Sequence, residues 1–421
     1  MIAAFNFRIQ RLGVHMLRIV AISLILFSPL SFAKVEWQYK VQGRITGQPV
    51  IYKNLVYILA GQSLSVLNKA GKLQWKYELE ANTYSKVLVE NDSIYLLADN
   101  GLHAITTKGQ KKWFFASKDK PLSIDGETWG WGKGRFVDPW SWYRSSPIVV
   151  NDKVIFGNAN GTYALSSKTG EKIWQLNTGV TQTKPAYYEG IVVIGSWDNH
   201  LYGINENDGT VAWKFASRTP QGEMADWNGW DGFNLDPIIY NGAVYVGNRG
   251  SYFYAINAKT GMEKWSSQYA GTWIGSAAIE SNGEIFFGTS DGFSLVGLNA
   301  KTGSQSLLHL NDFYNFAQPQ ANDKTVYFAT VSGQLIAVDR DTSQSIVIFS
   351  TPQSVKNLPD VIKETGGLKR KYAVDGNYSH TTEFKDIDFM HKQLDSILSI
   401  TLDNEMIYLG SANGNFYAVS L

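Results

Sequence analysis

Apolar residues along this chain fall in short alternating runs, broken by turns rich in Gly, Asn, Asp and Thr. Alternation with period two marks strands whose two faces meet different surroundings. The clearest unit runs from Pro237 to Trp265. It contains the runs Val244-Tyr-Val-Gly247 and Tyr254-Ala-Ile-Asn257, the turn Lys259-Thr-Gly261, and a further strand carrying Trp265. The same order recurs from Pro147 to Trp174 and from Pro185 to Trp213. An aromatic follows the turn glycine by four residues at Gly71/Trp75, Gly109/Trp113, Gly170/Trp174, Gly209/Trp213 and Gly261/Trp265. Gly303 leads instead to Leu307 and Ser343 to Val347, so two units lack the indole.

The turn anchors at 71, 109, 170, 209, 261, 303 and 343 are separated by 38, 61, 39, 52, 42 and 40 residues. A period of about forty is that of a four-stranded propeller blade. Glycine supplies the positive φ of a tight turn. The tryptophan is expected to cover the neighbouring blade and to give its indole N–H to a carbonyl there. The ends set the blade count. Ser396–Ile400, Met406–Gly410 and Asn415–Val419 read as three strands without a fourth, whereas Val35–Val41 reads as a Trp37-bearing fourth strand without a blade. Pairing them completes an eighth blade and hides two sheet edges. The expected fold is all-β: an eight-bladed β-propeller of four-stranded antiparallel blades, closed by the N-terminal strand pairing with the C-terminal blade.

Residues 1–33 have the form of a secretory signal. Arg11 and Arg18 precede the apolar run from Ile19 to Leu30, and Ser31-Phe32-Ala33 offers a small-residue cleavage site. Translation starts at Met1 or Met16, and the propeller occupies 34–421. The apolar run is too short for a transmembrane helix, so the mature chain is expected to be periplasmic or secreted, and monomeric. Cysteine is absent. That excludes a disulfide, a thiolate metal site and a lipid anchor attached through cysteine. With 38 basic and 37 acidic residues the net charge is +1, which argues against a nucleic-acid partner.

The segments Ala255-Ile-Asn-Ala-Lys-Thr-Gly-Met-Glu-Lys-Trp265 and Ala164-Leu-Ser-Ser-Lys-Thr-Gly-Glu-Lys-Ile-Trp174 resemble the tryptophan-docking repeat of the quinoprotein, or PQQ-like, propeller superfamily. The resemblance runs along nearly the whole mature chain. It implies one of two activities: dehydrogenation dependent on pyrroloquinoline quinone (PQQ) with Ca²⁺, or cofactor-free binding in the cell envelope, as in BamB-like propellers. Many of the dehydrogenases place adjacent cysteines over the quinone and hold Ca²⁺ with carboxylate and amide oxygens. This chain lacks the cysteines, and no local motif matches the calcium ligands, so no cofactor, metal or catalytic residue is assigned.

Three long insertions, near 116–143, 217–233 and 350–394, interrupt the repeat, each as a connection between blades. All three therefore rise from one face, where loops on a rigid scaffold commonly bind. The first contains Trp129, Trp131, Trp140, Trp142 and Tyr143, with Asp138 and Arg144 nearby; the second contains Trp227, Trp230 and Phe233, with Asp226, Asp231 and Asp236. Rings among carboxylates either stack on a ligand or pack together as a small core under the loops. Arg144 and Arg249 are expected near the axis on this face, to bind an anion or to pair with Asp138, Asp231 or Asp236. Trp273 either stacks beneath a ligand or packs between blades, the latter being the preferred reading. The third insertion reads as a mobile charged excursion with a short helix near 360–364. His103, His200, His309, His380 and His391 form no metal-ligand pair, and the first two are expected to pack. These features point to a non-catalytic binding or scaffolding module for an envelope protein or glycan. The alternatives are a PQQ-dependent oxidoreductase and a carbohydrate-binding or carbohydrate-cleaving protein.

Overall fold

The blade sheets carry apolar residues on both faces, which a blade buries only against a neighbour on either side. The computed structural model describes residues 33–117, 123–125, 135–137, 145–218, 232–269, 271–364, 366–369, 371 and 380–421, with the backbone alone at 123–125, 135–137 and 380–384. Blades 1 to 7 span 50–83, 88–116, 148–176, 186–216, 238–268, 279–310 and 320–350; blade 8 joins 397–420 to Lys34–Lys40. In blade 5, Val244, Val246, Tyr254 and Ile256 pack on Val193, Leu201 and Trp213 of blade 4. The intervening Tyr245, Phe253 and Ala255 pack on Ile285, Phe287 and Val296 of blade 6. The period-two pattern thus feeds two interfaces at once. Blade 1 differs in that Leu55–Asn68 runs as one long strand. Its first half pairs with Val50–Tyr52, its second half pairs with Leu73–Thr83, and Gly61 at φ +57° lies between them.

The expected closure is present. Lys34–Lys40 pairs antiparallel with Asn415–Ser420, placing Trp37 opposite Ala418 and Tyr39 opposite Phe416. The Trp37 ring lies 6.0 Å from Tyr408 and 5.7 Å from Phe416.

Indole donation to the next blade holds at five of the six repeat tryptophans among the described residues, Trp75 being the exception. Trp37 donates to the Lys69 carbonyl at 2.8 Å, Trp113 to Ser167 at 3.0 Å, Trp174 to Glu206 at 2.9 Å, and Trp213 and Trp265 to Ala258 and Ala300 at 3.1 Å. Each acceptor belongs to the following blade. The turn glycine proves to have a second reason beyond its φ. At Gly261 (φ +71°) a Cβ would lie 2.7 Å from the Trp213 ring, and at Gly303 (φ +72°) it would lie 2.7 Å from Trp265. The indole of one blade rests on the bare backbone of the next blade's turn. Across the strand pair, each of these tryptophans faces a small residue: Ala104, Ala164, Gly203, Ala255 or Ala418.

This arrangement explains the two units without an indole. Leu307 replaces it in blade 6, and the following turn holds Ser343 at φ +58° in place of glycine. Blade 7 precedes the closing blade, where the chain ends stand in place of that turn. The spacing pointed to Val347 as the substitute in blade 7. The structure instead sets Ile346 opposite Ala337, because the register shift falls elsewhere in that strand pair.

The third insertion departs from expectation. It is a docked helical pair, α1 (Pro352–Val361) and α2 (His380–Leu394). Thr351 caps α1 by accepting the Ser354 N–H, with Pro352 in the first turn. Val361, Met390 and Leu394 pack with Phe313, Phe316, Val331 and Leu398, and Arg44 reaches Asp388 at 3.1 Å. The first helix is longer than expected and begins earlier, overlapping 360–364 only at Asp360 and Val361. Within the first insertion, Ser123–Asp125 pairs with Arg135–Val137.

His103 packs as expected, 8% exposed, with Phe114 at 4.5 Å and Asn100 Oδ1 at 2.9 Å from its Nε2. Burial, aided by Lys111, pushes its pKa down to about 4. The native state thus holds the neutral ring, whereas the unfolded chain binds a proton near pH 6.5. Stability is full above about 6.5 and falls as pH drops toward 4. His391, buried completely, shifts in the same direction. Thermal midpoints measured from pH 7.5 to 4.5 are expected to decline, and His103→Gln should make the decline shallower.

Candidate functional site

The first strands of adjacent blades contact one another around the ring and so line its axis. Two residues before each first strand, the chain turns inward. Gln48, Lys86, Ser146, Lys184, Asp236 and Gln318 occupy that position in six blades. Five of them precede proline: Pro49, Pro147, Pro185, Pro237 and Pro319. Proline holds the preceding residue in extended conformation and needs no hydrogen-bond acceptor where the strand begins. Side chains from blades far apart in sequence therefore converge on one polar ring.

Lys86 Nζ lies 2.8 Å from Asp236 Oδ2 and 3.3 Å from Gln318 Oε1. The other carboxylate oxygen of Asp236 accepts the Lys184 backbone N–H at 2.7 Å. Gln318 donates to the Ala278 carbonyl at 2.6 Å, and Gln48 donates to that of Ile400 at 3.1 Å. The Lys86 N–H is held by Ser146 Oγ at 2.8 Å. Burial is the chief cause that lowers the Lys184 pKa; Lys86 adds to it and Asp236 opposes it. On the insertion side the ring meets a cavity of only about 30 Å³, bounded by Leu235, Phe316 and Leu398. On the other side a bore of about 580 Å³ runs past Ile148, Val150, Ala186 and Ile238 to Asn151.

A second feature lies on the insertion face. The Arg249 guanidinium sits 4.5 Å from the Trp273 ring and 5.4 Å from that of Trp197. Trp197 donates to Gln182 at 2.9 Å. Arg249 is only 4% exposed, so it acts here as a cation clamped between rings.

Of the residues expected at the site, Asp236, Arg249 and Trp273 fall in two different places. Asp236 belongs to the axial ring, and its ion pair is with Lys86, not Arg249. Arg249 lies in the aromatic stack, and Trp273 forms one wall of it. Phe233 is fully buried against Phe215 and Tyr254 and belongs to the core. Trp129, Trp131, Asp138, Trp140, Trp142, Tyr143, Arg144, Trp227, Trp230 and Asp231 lie outside the described residues. Lys86, Lys184, Gln48 and Gln318 escaped the sequence reading. For Gln48, Lys184 and Gln318 the position before a blade-opening proline was the available signal; Lys86, followed by Val87, carried none.

The family model described as outer membrane protein assembly factor BamB matches residues 33–180, 125–346 and 225–421. The outer membrane protein assembly factor BamB of Burkholderia pseudomallei is 28% identical over 169 residues, covering 38% of this chain and 40% of that protein. The quinohemoprotein alcohol dehydrogenase of Comamonas testosteroni is 26% identical over 142 residues, covering 29% of this chain and 19% of that protein. The matched stretches thus span less than half of either relative's length. The crystal structure of BamB from Moraxella catarrhalis superposes with a TM-score of 0.65 at 14% identity, covering 92% of this chain and 100% of that one. At that identity the likeness speaks for the fold.

Proposed function

The chain belongs to the family of the outer membrane protein assembly factor BamB, and from that premise we propose that it is a non-catalytic propeller of the cell envelope that holds a partner protein on its insertion face. One observation carries this reading: every long insertion leaves the ring between blades, on the face that also bears the Trp197–Arg249–Trp273 stack. A rigid ring fixes the relative positions of those loops, and Trp and Arg side chains are enriched among the residues that dominate protein interfaces. Export belongs to the same proposal, with residues 1–33 removed. No helix among the described residues is long and apolar enough to cross a membrane.

Photo-crosslinking in cells tests the face. A crosslinking residue at Asn160 or Asp291, in second-to-third-strand turns on the insertion face, is expected to trap an envelope protein. One at Lys168 or Lys301, on the opposite face, is expected to trap none. Equal yields from both faces, or none from the insertion face, would end the proposal. N-terminal sequencing of the exported protein should begin at Lys34.

The dehydrogenase alternative requires residues that hold Ca²⁺ beside a quinone. Among the described residues no group of three or more His, Asp or Glu side chains is arranged to hold a metal ion, and Asp236 already pairs with Lys86.

A further inference from the structure

The polar ring on the axis contains one charge that the fold does not use. Lys86 is bound by Asp236 and Gln318, Asp236 by Lys86 and the Lys184 N–H, and both glutamine amides by backbone carbonyls. Of the three charged side chains of the ring, only the Lys184 ammonium has no hydrogen bond or ion pair with a described residue. Two ammonium groups face one carboxylate there, so the ring carries 2 − 1 = +1. Lys184 lines the wide bore and not the small cavity on the insertion side. The bore has apolar walls below that charge: Ile148, Val150, Ala186 and Ile238, with the partly exposed Tyr187.

We propose that this bore is a binding site for a small amphipathic monocarboxylate, whose head meets the Lys184 ammonium and whose apolar body lies against the first strands. The charge selects the head. A monoanion neutralises the ring, a dianion reverses its charge, a cation is repelled, and a neutral molecule leaves Lys184 unpaired. The walls select the body, since apolar surface there gains by leaving water. The size fits, because a volume of about 580 Å³ lies within the ordinary range for small-molecule pockets, roughly 300–1,000 Å³. Access is from the face opposite the insertions. At the other end the ring, with Leu235, Phe316 and Leu398, narrows the passage to a cavity of about 30 Å³. The site is therefore independent of the protein-binding face proposed above, and either can fail without the other.

Calorimetric titration of the full mature chain with hexanoate, hexanol and hexylamine tests it. Hexanoate is expected to bind at least tenfold more tightly than hexanol, with hexylamine weakest. Lys184→Met should abolish the advantage of hexanoate while leaving hexanol unchanged, and Lys184→Arg should retain it. Equal affinity for hexanoate and hexanol in the unaltered protein, or no binding of hexanoate, overturns the proposal. So does a folded Lys184→Met variant that keeps its affinity for hexanoate. The comparison of the three ligands in the unaltered protein decides the matter even if the variant does not fold.

Discussion

Removing Lys34–Lys40 is expected to cost the protein its folded state. The strand contributes six register pairs to blade 8 and inserts Trp37 between that blade and the turn of blade 1. Truncating a fully buried aromatic to alanine typically costs about 3–5 kcal/mol, and the half-buried Trp37 less, against a total stability of only about 5–15 kcal/mol for an ordinary domain. Here an entire strand goes with the ring. Its loss also bares the edge of Asn415–Ser420, with unpaired backbone groups that invite another chain. A chain beginning at Val41 should therefore be insoluble, or should run as oligomers on size exclusion with a greatly reduced thermal midpoint. A circular permutant separates strand pairing from chain connectivity. Joining Leu421 to Lys34 through a Thr-Gly turn, with new ends after Thr169, should restore a monomer of near-normal stability. If the truncated chain melts with the full-length protein, the closing strand is dispensable.

Gly261→Ala is the second large effect, expected to destabilise by about 3 kcal/mol. Of this, about 1–2 kcal/mol comes from placing a Cβ in the left-handed region. The rest arises because that Cβ would lie 2.7 Å from the Trp213 ring, so the indole must leave its seat and weaken its bond to Ala258. Ser343, at φ +58°, already bears the first cost without the second. Ser343→Gly should accordingly stabilise, by up to about 1 kcal/mol. The two components are separable. With Leu in place of Trp213, copying the Leu307/Ser343 pair, Gly261→Ala should cost only the backbone part. Urea denaturation of the four members of that cycle measures the coupling. Strict additivity would show that the indole does not enforce the glycine.

The blade count and closure were legible because they rest on local chemistry repeated many times. A Thr-Gly turn and an aromatic four residues later are recognisable wherever they stand. The axial ring was not legible. Gln48, Lys86, Lys184, Asp236 and Gln318 are ordinary residues one at a time, and only ring closure brings them together. The helical pair was obscured by Pro359 within α1 and by the charged residues around it. Ile387, Met390 and Leu394 do have helical spacing, and α2 buries them. Val347 was chosen by counting, whereas the register shift in blade 7 gave the place to Ile346.

The indole contacts also have a direction: each tryptophan reaches forward to the next blade's turn. The matched pair is therefore split across a blade boundary, as Trp213 with Gly261 and Leu307 with Ser343 demonstrate. A recombination event that swaps whole blades would separate the members of two such pairs. The transferable module is instead the stretch from one fourth strand through the following turn. Chimaeras cut on that staggered frame should fold, whereas those cut between blades should require a compensating change in the adjoining turn.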